Sequence, residues 1–276
     1  MEQGMVGFFV SSTKGKERAA SKEITVLLVE AIEELYPEAV KAVAKGDEDD
    51  NEATAASSSA APKAAPTSIE DEIAAELTSL TDSSAKNHAS EHLEHIAMAV
   101  DCLFFLRVNP PALAAIVDPV AVVRHVFETA LAAKKRHEGA GSSLTAGART
   151  RFAHRILPFQ SVCKGTLKDI QATATTLLAR AGVIEPCKFA LATKLRVGSP
   201  LNRDELIQEL AKPLIDAGYT VDLVRPDVSV VVEVYRNVAG VSVVTGGDYV
   251  RLRKFNLHEV YAKGEDVVAA AAADSE

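Results

Sequence analysis

Two valine-rich runs late in the chain, VSVVVEVY at 228–235 and VSVVTG at 241–246, limit the fold most tightly. A strand with one wet face alternates polar with apolar residues, whereas near-continuous β-branched residues mark strands covered on both faces. RPD and NVAG turns bracket the first run, and TVDLV at 220–224 adds a third candidate strand. Covering such a sheet requires helices, and the preceding stretch supplies them. LKDIQATATTLLARAG and DELIQELAKPLIDAG are amphipathic, with Gly182 and Gly218 where the helices stop and Pro213 inside the second. CKFALATKLR between them reads as another strand. The expectation is a mixed α/β (α+β) unit over 163–262.

Upstream, the order of elements changes. GFFVSS at 7–12 reads as a strand, and Ile24, Leu27, Leu28, Ala31, Ile32 and Leu35 then follow helical spacing up to Pro37. HLEHIAMAV and CLFFLRV read as a hairpin, Pro119 opens a helix running to about Lys135, and RFAHRILPFQ is a further strand. Strand, helix, strand, strand, helix, strand is the ferredoxin-like split βαβ order, expected here over 1–162. GDEDDNEATAASSSAAPKAAPT interrupts it, and this composition predicts a disordered insertion at 46–68. A short helix is expected at 69–80, a mobile loop at EGAGSSLTAG, and a disordered tail at 263–276.

The formal net charge of -8 conceals how acids and bases are segregated along the chain. Residues 46–95 hold 12 acids against 2 bases, whereas 96–258 hold 21 bases against 14 acids, a surplus of 7. A basic body with acidic appendages points to an anionic partner. Cys102, Cys163 and Cys187 are odd in number and make no CxxC, which disfavours a disulfide framework and a zinc knuckle. MEQGMVGFFVSS lacks the basic flank and cleavage pattern of a secretory signal, and no run of about 18 apolar residues occurs. A soluble protein of a reducing compartment, with no membrane partner, is expected.

Cations suited to an anionic partner fall into three groups. Lys194 and Arg196, two apart at the end of a strand, share a face, and Arg203 opens the next helix. Gly198 permits close backbone approach, and Asn202 serves as a neutral donor or a helix cap. Arg203 precedes Asp204 and Glu205, so a local ion pair on a solvated face is its competing reading. The acid-free stretch 139–168 carries Arg155 and, beside Gly165, Lys164; isolated charges of this kind are more often merely solvated. Arg251, Arg253 and Lys254 form the third group. Strand-like alternation puts Arg251 and Arg253 together with Lys254 opposite, and pairing of one of them with Glu233 or Asp248 is the alternative. With 5% aromatic residues and no Trp, the chain has no evident platform for stacking bases. Phosphates, 2′-hydroxyls and the shape of an A-form stem are the expected handles.

Catalytic patterns are sparse. His88, His92 and His95 have a helical spacing that suits a metal, but HLEHIAMAV also reads as a strand, which separates His92 from His95. Cys163 with His154 suggests a nucleophile and base, against a buried inert thiol. Asp222, Asp227 and Glu233 read as structural, with Asp227 in a turn and the other two near Arg225 and Arg236. The phosphate-loop, dinucleotide, nucleophile-elbow and deaminase motifs are missing. We expect no catalytic residue, no metal and no cofactor.

KLRVGSPLNRDEL, VDLVRPDVSVVVEVY, VSVV and YVRLRKFNLHEV, in that order, resemble the THUMP domain. With RILPFQSVCKGTL before them and GFFVSSTKGKERAASKE near the N-terminus, the chain is similar to the eukaryotic THUMP-domain adaptors of tRNA cytidine acetylation. The resemblance implies a ferredoxin-like N-terminal domain joined to a THUMP domain, together holding the acceptor stem and 3′ end of tRNA. It implies a non-catalytic adaptor in the nucleus or nucleolus, with the cytoplasm as a further location. A separate RNA cytidine acetyltransferase, using acetyl-CoA and ATP, would form N4-acetylcytidine in the D-arm of serine and leucine tRNAs. The acidic insertion, Gly246-Gly247 before Asp248-Tyr249, and the extended 137–148 loop depart from the family pattern. A catalytic tRNA-modifying subunit and a protein-interaction module with incidental basic loops are the competing readings.

Overall fold

The structure, a computed structural model, describes residues 1–43, 92–138, 149–196 and 198–264. The insertion expected at 46–68, the helix expected at 69–80, most of the 137–148 loop and the chain beyond Gly264 lie outside the described residues.

Four strands make the first sheet: β1 (Gly7–Ser12), β2 (Leu93–Ala97), β3 (Leu103–Val108) and β4 (Ala153–Phe159). They are antiparallel in the order β2-β3-β1-β4. The helix α1 (Glu17–Leu35) follows β1; a one-turn α2 (Pro111–Ala114) and the long α3 (Pro119–Glu138) lie between β3 and β4. The alternation of strands and helices read from the sequence is therefore present, with α2 added. Ile24, Leu28 and Ile32 of α1, one helical turn apart, are buried with Phe8 and Phe105 in one core, whereas Leu35 at the helix end is exposed.

The second sheet holds β5 (Ser161–Lys164), β6 (Lys188–Leu195), β7 (Thr220–Val221), β8 (Val228–Tyr235) and β9 (Val238–Thr245), in the order β5-β9-β8-β6-β7. Every residue of β8 is buried, as its valine run requires. The two covers differ. Val230, Val232 and Val234 form a core with α4 (Leu167–Arg180) and α5 (Arg203–Asp216), while Val231 and Val244 join the core of the first unit. The sheet is thus covered on both faces as expected, by helices on one and by the first unit on the other. TVDLV contributes only Thr220–Val221 to the sheet, because the Asp222 carboxylate accepts from the Val224 and Arg225 amides and turns the chain away.

Gln160 alone separates β4 from β5, and it fastens the two units together. Its backbone N–H donates to the Val241 carbonyl (3.1 Å), its Oε1 accepts from the Val243 amide (2.9 Å), and its Nε2 donates to Asp118 Oδ1 (3.0 Å). Next to it, the Phe159 ring stacks on Phe9 at 5.4 Å and lies against Gly240, where an added Cβ would fall 2.1 Å from the ring. Ser242 Oγ donates to the Pro158 carbonyl (2.8 Å), and the start of the chain pairs with β5 through Gly4 N–H to Val162 O (2.7 Å). After β9, α6 (Asp248–Arg251), a 3-10 turn (Arg253–Phe255) and α7 (Leu257–Lys263) return to the first unit. Leu252, Phe255, Leu257 and Val260 are fully buried in its core, with Phe255 edge-on to Phe127 at 5.6 Å.

Candidate nucleic-acid interface

The face of the second sheet that meets the first unit carries charge as well as valine. Lys194 of β6 and Glu233 of β8 are register partners, and alternation places both on the side away from α4 and α5. The Glu233 side chain is 5% exposed, and Arg196, just past β6, donates to it from Nε at 2.7 Å. The same guanidinium lies over the Phe9 ring, 5.5 Å from its centroid, so one cation joins β8 to β1 across the boundary. Arg155 comes from β4 of the first unit, and its buried Nε has no hydrogen-bond partner among the described residues.

Lys194 opposite Glu233, and Arg196 paired with it, gather charge on this face of the sheet. Burial raises the Glu233 pKa, while Arg196, Lys194 and Arg155 oppose that shift. Burial lowers the Lys194 pKa, and Arg196 and Arg155 lower it further against the pull of Glu233. Burial raises the Tyr249 pKa, with Arg155 and Glu233 acting on it in opposite senses. Arg196 is thus the cation bonded to the Glu233 carboxylate, and Lys194, opposite it on β6, is exposed.

The remaining cations take different positions. Asn202 caps α5, its Oδ1 accepting from the Asp204 and Glu205 amides at 2.8 and 3.4 Å, so of its two expected roles the cap is present. Arg203 Nε reaches the Thr193 carbonyl at 3.4 Å, which holds it beside the end of β6. Lys164 is exposed at the opposite edge of the sheet, and Gly165 serves packing, since a Cβ there would lie 2.9 Å from the Asn237 backbone. Arg251 is bound to Asp248 (2.8 Å) and Glu128, and Arg124 also binds Asp248. Burial works against the Arg251 charge, but these hydrogen bonds outweigh it and raise the pKa. Its charge is therefore committed inside the fold, and Asp248 is the partner that the alternative reading named. The alternation assumed for 251–254 does not apply, because the chain is helical and then in a 3-10 turn with Arg253 and Lys254 at positive φ. Arg253 Nε donates to the Gly264 carbonyl (3.0 Å), and Lys254 is exposed.

The expected catalytic alternatives are scattered. Cys163 is buried in the second core, its pKa raised by burial, while His154 Nε2 bonds Thr13 Oγ1 at 3.0 Å beside the first sheet. Glu233 pairs with Arg196 in place of the expected Arg236, whose guanidinium lies over the Tyr235 ring. Asp227, just before β8, accepts from the Lys188 amide at the start of β6 at 2.9 Å, a structural contact. His95 lies in β2 against Phe104, His92 is buried, and His88 is outside the described residues. Among the described residues no three His, Cys, Asp or Glu side chains are placed to hold a metal, and no helix is long and apolar enough to cross a membrane.

The fold and the boundary cluster describe a two-unit α/β protein, and residues 164–244 match the THUMP domain family. The chain therefore carries a THUMP domain over those residues. It is 26% identical over 272 residues to an uncharacterized protein of Schizosaccharomyces pombe, covering 96% of this chain and 79% of that one. It is 22% identical over 277 residues to the Saccharomyces cerevisiae protein named tRNA acetyltransferase TAN1, covering 95% of this chain and 86% of that one. The Mus musculus THUMP domain-containing protein 1 is 34% identical over 154 residues, 54% of this chain and only 40% of the mouse protein. The Saccharomyces cerevisiae match, with the THUMP match at 164–244, upholds the resemblance to the THUMP-domain tRNA acetylation family along nearly the whole chain. A solved Pyrococcus horikoshii structure is similar at a TM-score of 0.43 and 11% identity, over 87% of this chain and 54% of that one.

Proposed function

We propose that this protein is a tRNA-binding adaptor that presents its RNA to a separate RNA cytidine acetyltransferase. The observation that carries the reading is the basic boundary face, where Arg196 pairs with Glu233 at 2.7 Å, Lys194 stands exposed opposite that carboxylate, and Arg155 of the first unit keeps a buried Nε without a partner among the described residues. A carboxylate held in an ion pair beside a lysine among arginines suits the gripping of an anion better than the movement of a proton. The name of the budding yeast relative supports the link to tRNA acetylation. In the finer reading, the acceptor stem and 3′ end of serine and leucine tRNAs are held across the two units. The partner then uses acetyl-CoA and ATP to form N4-acetylcytidine in the D-arm, in the nucleus or nucleolus.

Catalysis by this chain itself is the second reading, favoured by that same name. Incubating the purified chain with tRNA, acetyl-CoA and ATP, with and without an RNA cytidine acetyltransferase, separates the two. The adaptor reading expects N4-acetylcytidine only when both proteins are present. Product from this chain alone would make it the enzyme, and failure to bind tRNA would remove both readings.

A further inference from the structure

We propose that the groove between α4 and α5 is the docking site for a basic amphipathic segment of the partner acetyltransferase. This deepens the adaptor reading by giving the partner a surface, and it rests on that reading. The groove has a volume of about 460 Å³ and lies on the face of the second sheet away from the first unit, over Leu191 and Val230. It exists because the facing helices show short side chains there, Ala174 and Ala179 from α4 and Pro213 and Ala217 from α5. Its polar side chains are already engaged inside the fold. Gln171 Nε2 donates to the Glu209 carbonyl (3.1 Å), Thr175 Oγ1 to the Gln171 carbonyl (3.0 Å) and the Tyr219 hydroxyl to the Val183 carbonyl (3.2 Å). An occupant is therefore held there by apolar burial.

Two observations decide what kind of occupant fits. Apolar exposure continues past the groove: Ile184 at its end is 83% exposed, and Ile215, Val221, Leu223 and Val224 are each more than half exposed. Exposure over this length of chain suits a protein segment and not a single small ligand. The rim, in turn, is acidic on a body that is otherwise basic. Glu205, Glu209 and Asp216 recur at helical spacing along one exposed side of α5, with Lys212 as the one cation among them, and Glu185 follows Ile184. Arg203, the other cation of α5, is held at the Thr193 carbonyl. The bond from Gln171 to the Glu209 carbonyl places this side of α5 next to α4. An apolar floor under an acidic rim calls for apolar side chains flanked by Lys or Arg, the pattern of an amphipathic helix laid in a groove. Two apolar-bearing segments of this chain outside the described residues carry the wrong charge, since SIEDEIAAELTSL at 68–80 and EDVVAAAAADSE at 265–276 are both acidic.

The test measures binding of the full chain to a purified RNA cytidine acetyltransferase, alongside its binding to tRNA. Ala179→Glu puts an acid at an exposed helical position in the groove, and Ala172→Glu puts the same acid on the same helix outside it. Ala179→Glu is expected to weaken acetyltransferase binding about tenfold, as a charge buried in an apolar contact does, while Ala172→Glu binds as the wild type does. Both variants keep the tRNA affinity and the unfolding midpoint. Glu209→Lys together with Asp216→Lys should weaken the same binding and flatten its salt dependence. Equal acetyltransferase binding by the wild type and Ala179→Glu overturns the docking proposal and leaves the adaptor reading standing. Loss of tRNA binding in a folded Ala179→Glu would assign the groove to RNA and overturn the proposal too. So would self-association that Ala179→Glu abolishes with enzyme binding intact, which gives the groove to a second copy. No binding of the acetyltransferase by the wild type overturns both readings.

Discussion

Lys194 and Arg196 look equivalent as letters two apart, yet their surroundings give them different work. Arg196 neutralises a carboxylate that is 5% exposed and also covers Phe9, so its loss strands Glu233 as a buried charge. Arg196→Ala should lower the unfolding free energy by about 3 kcal/mol, measured by urea denaturation. A loss within about 0.5 kcal/mol would show that the ion pair has no structural role. Lys194→Ala should stay within that margin and instead weaken RNA binding. Its charge has a distinct pH signature. Burial and the neighbouring arginines lower the Lys194 pKa, so the proton is present below that value and leaves as pH rises through it, earlier than from an ordinary lysine near about 10.4. Raising the pH from about 7 to about 9.5 should therefore weaken RNA binding by the wild type more than by Lys194→Arg, whose guanidinium stays charged. Parallel curves for the two proteins would contradict the assignment.

At the scale of elements, the joint between the sheets is tight because a ring sits where a side chain is missing. Gly240 in β9 leaves room for Phe159, and an added Cβ would lie 2.1 Å from that ring. Gly240→Ala should cost about 1–3 kcal/mol through overpacking and loosen one sheet against the other. Thermal unfolding checks the first effect and hydrogen exchange of the β5 and β9 amides the second; an unchanged midpoint would mean that Phe159 moves aside freely. The strands and long helices at this scale were legible in the sequence, because valine continuity in β8 and helical spacing in α1 each encode burial directly. The joint was not. Gln160 acts through three contacts with Val241, Val243 and Asp118, all distant in sequence, and no local pattern signals them. YVRLRKF likewise shows alternating cations, but Arg251 is claimed by Asp248 and by Glu128, which lies on a different helix.

Across the whole molecule, two α/β units share a boundary, and the charge surplus legible in the sequence of 96–258 includes a focus at that boundary. The sequence identified Lys194, Arg196 and Arg155 as candidates because each stands in an acid-poor stretch; it read Arg155 as a member of a separate group. Folding sets Lys194 opposite Glu233 on the neighbouring strand and seats Arg196 on that carboxylate and over Phe9 of β1, long-range contacts invisible to spacing rules. The same arrangement makes Glu233 a positioning residue that holds Arg196, whereas the sequence suggested Arg236 as its partner. The account centres on RNA phosphates being gripped at this boundary. Its most direct test is a filter-binding titration of tRNA by the full chain across a range of salt concentrations, for wild type and Lys194→Ala. The account predicts that the log K against log salt plot of the variant is shallower by about one phosphate contact and that its affinity is lower at every salt concentration. Coincident lines for the two proteins would contradict it.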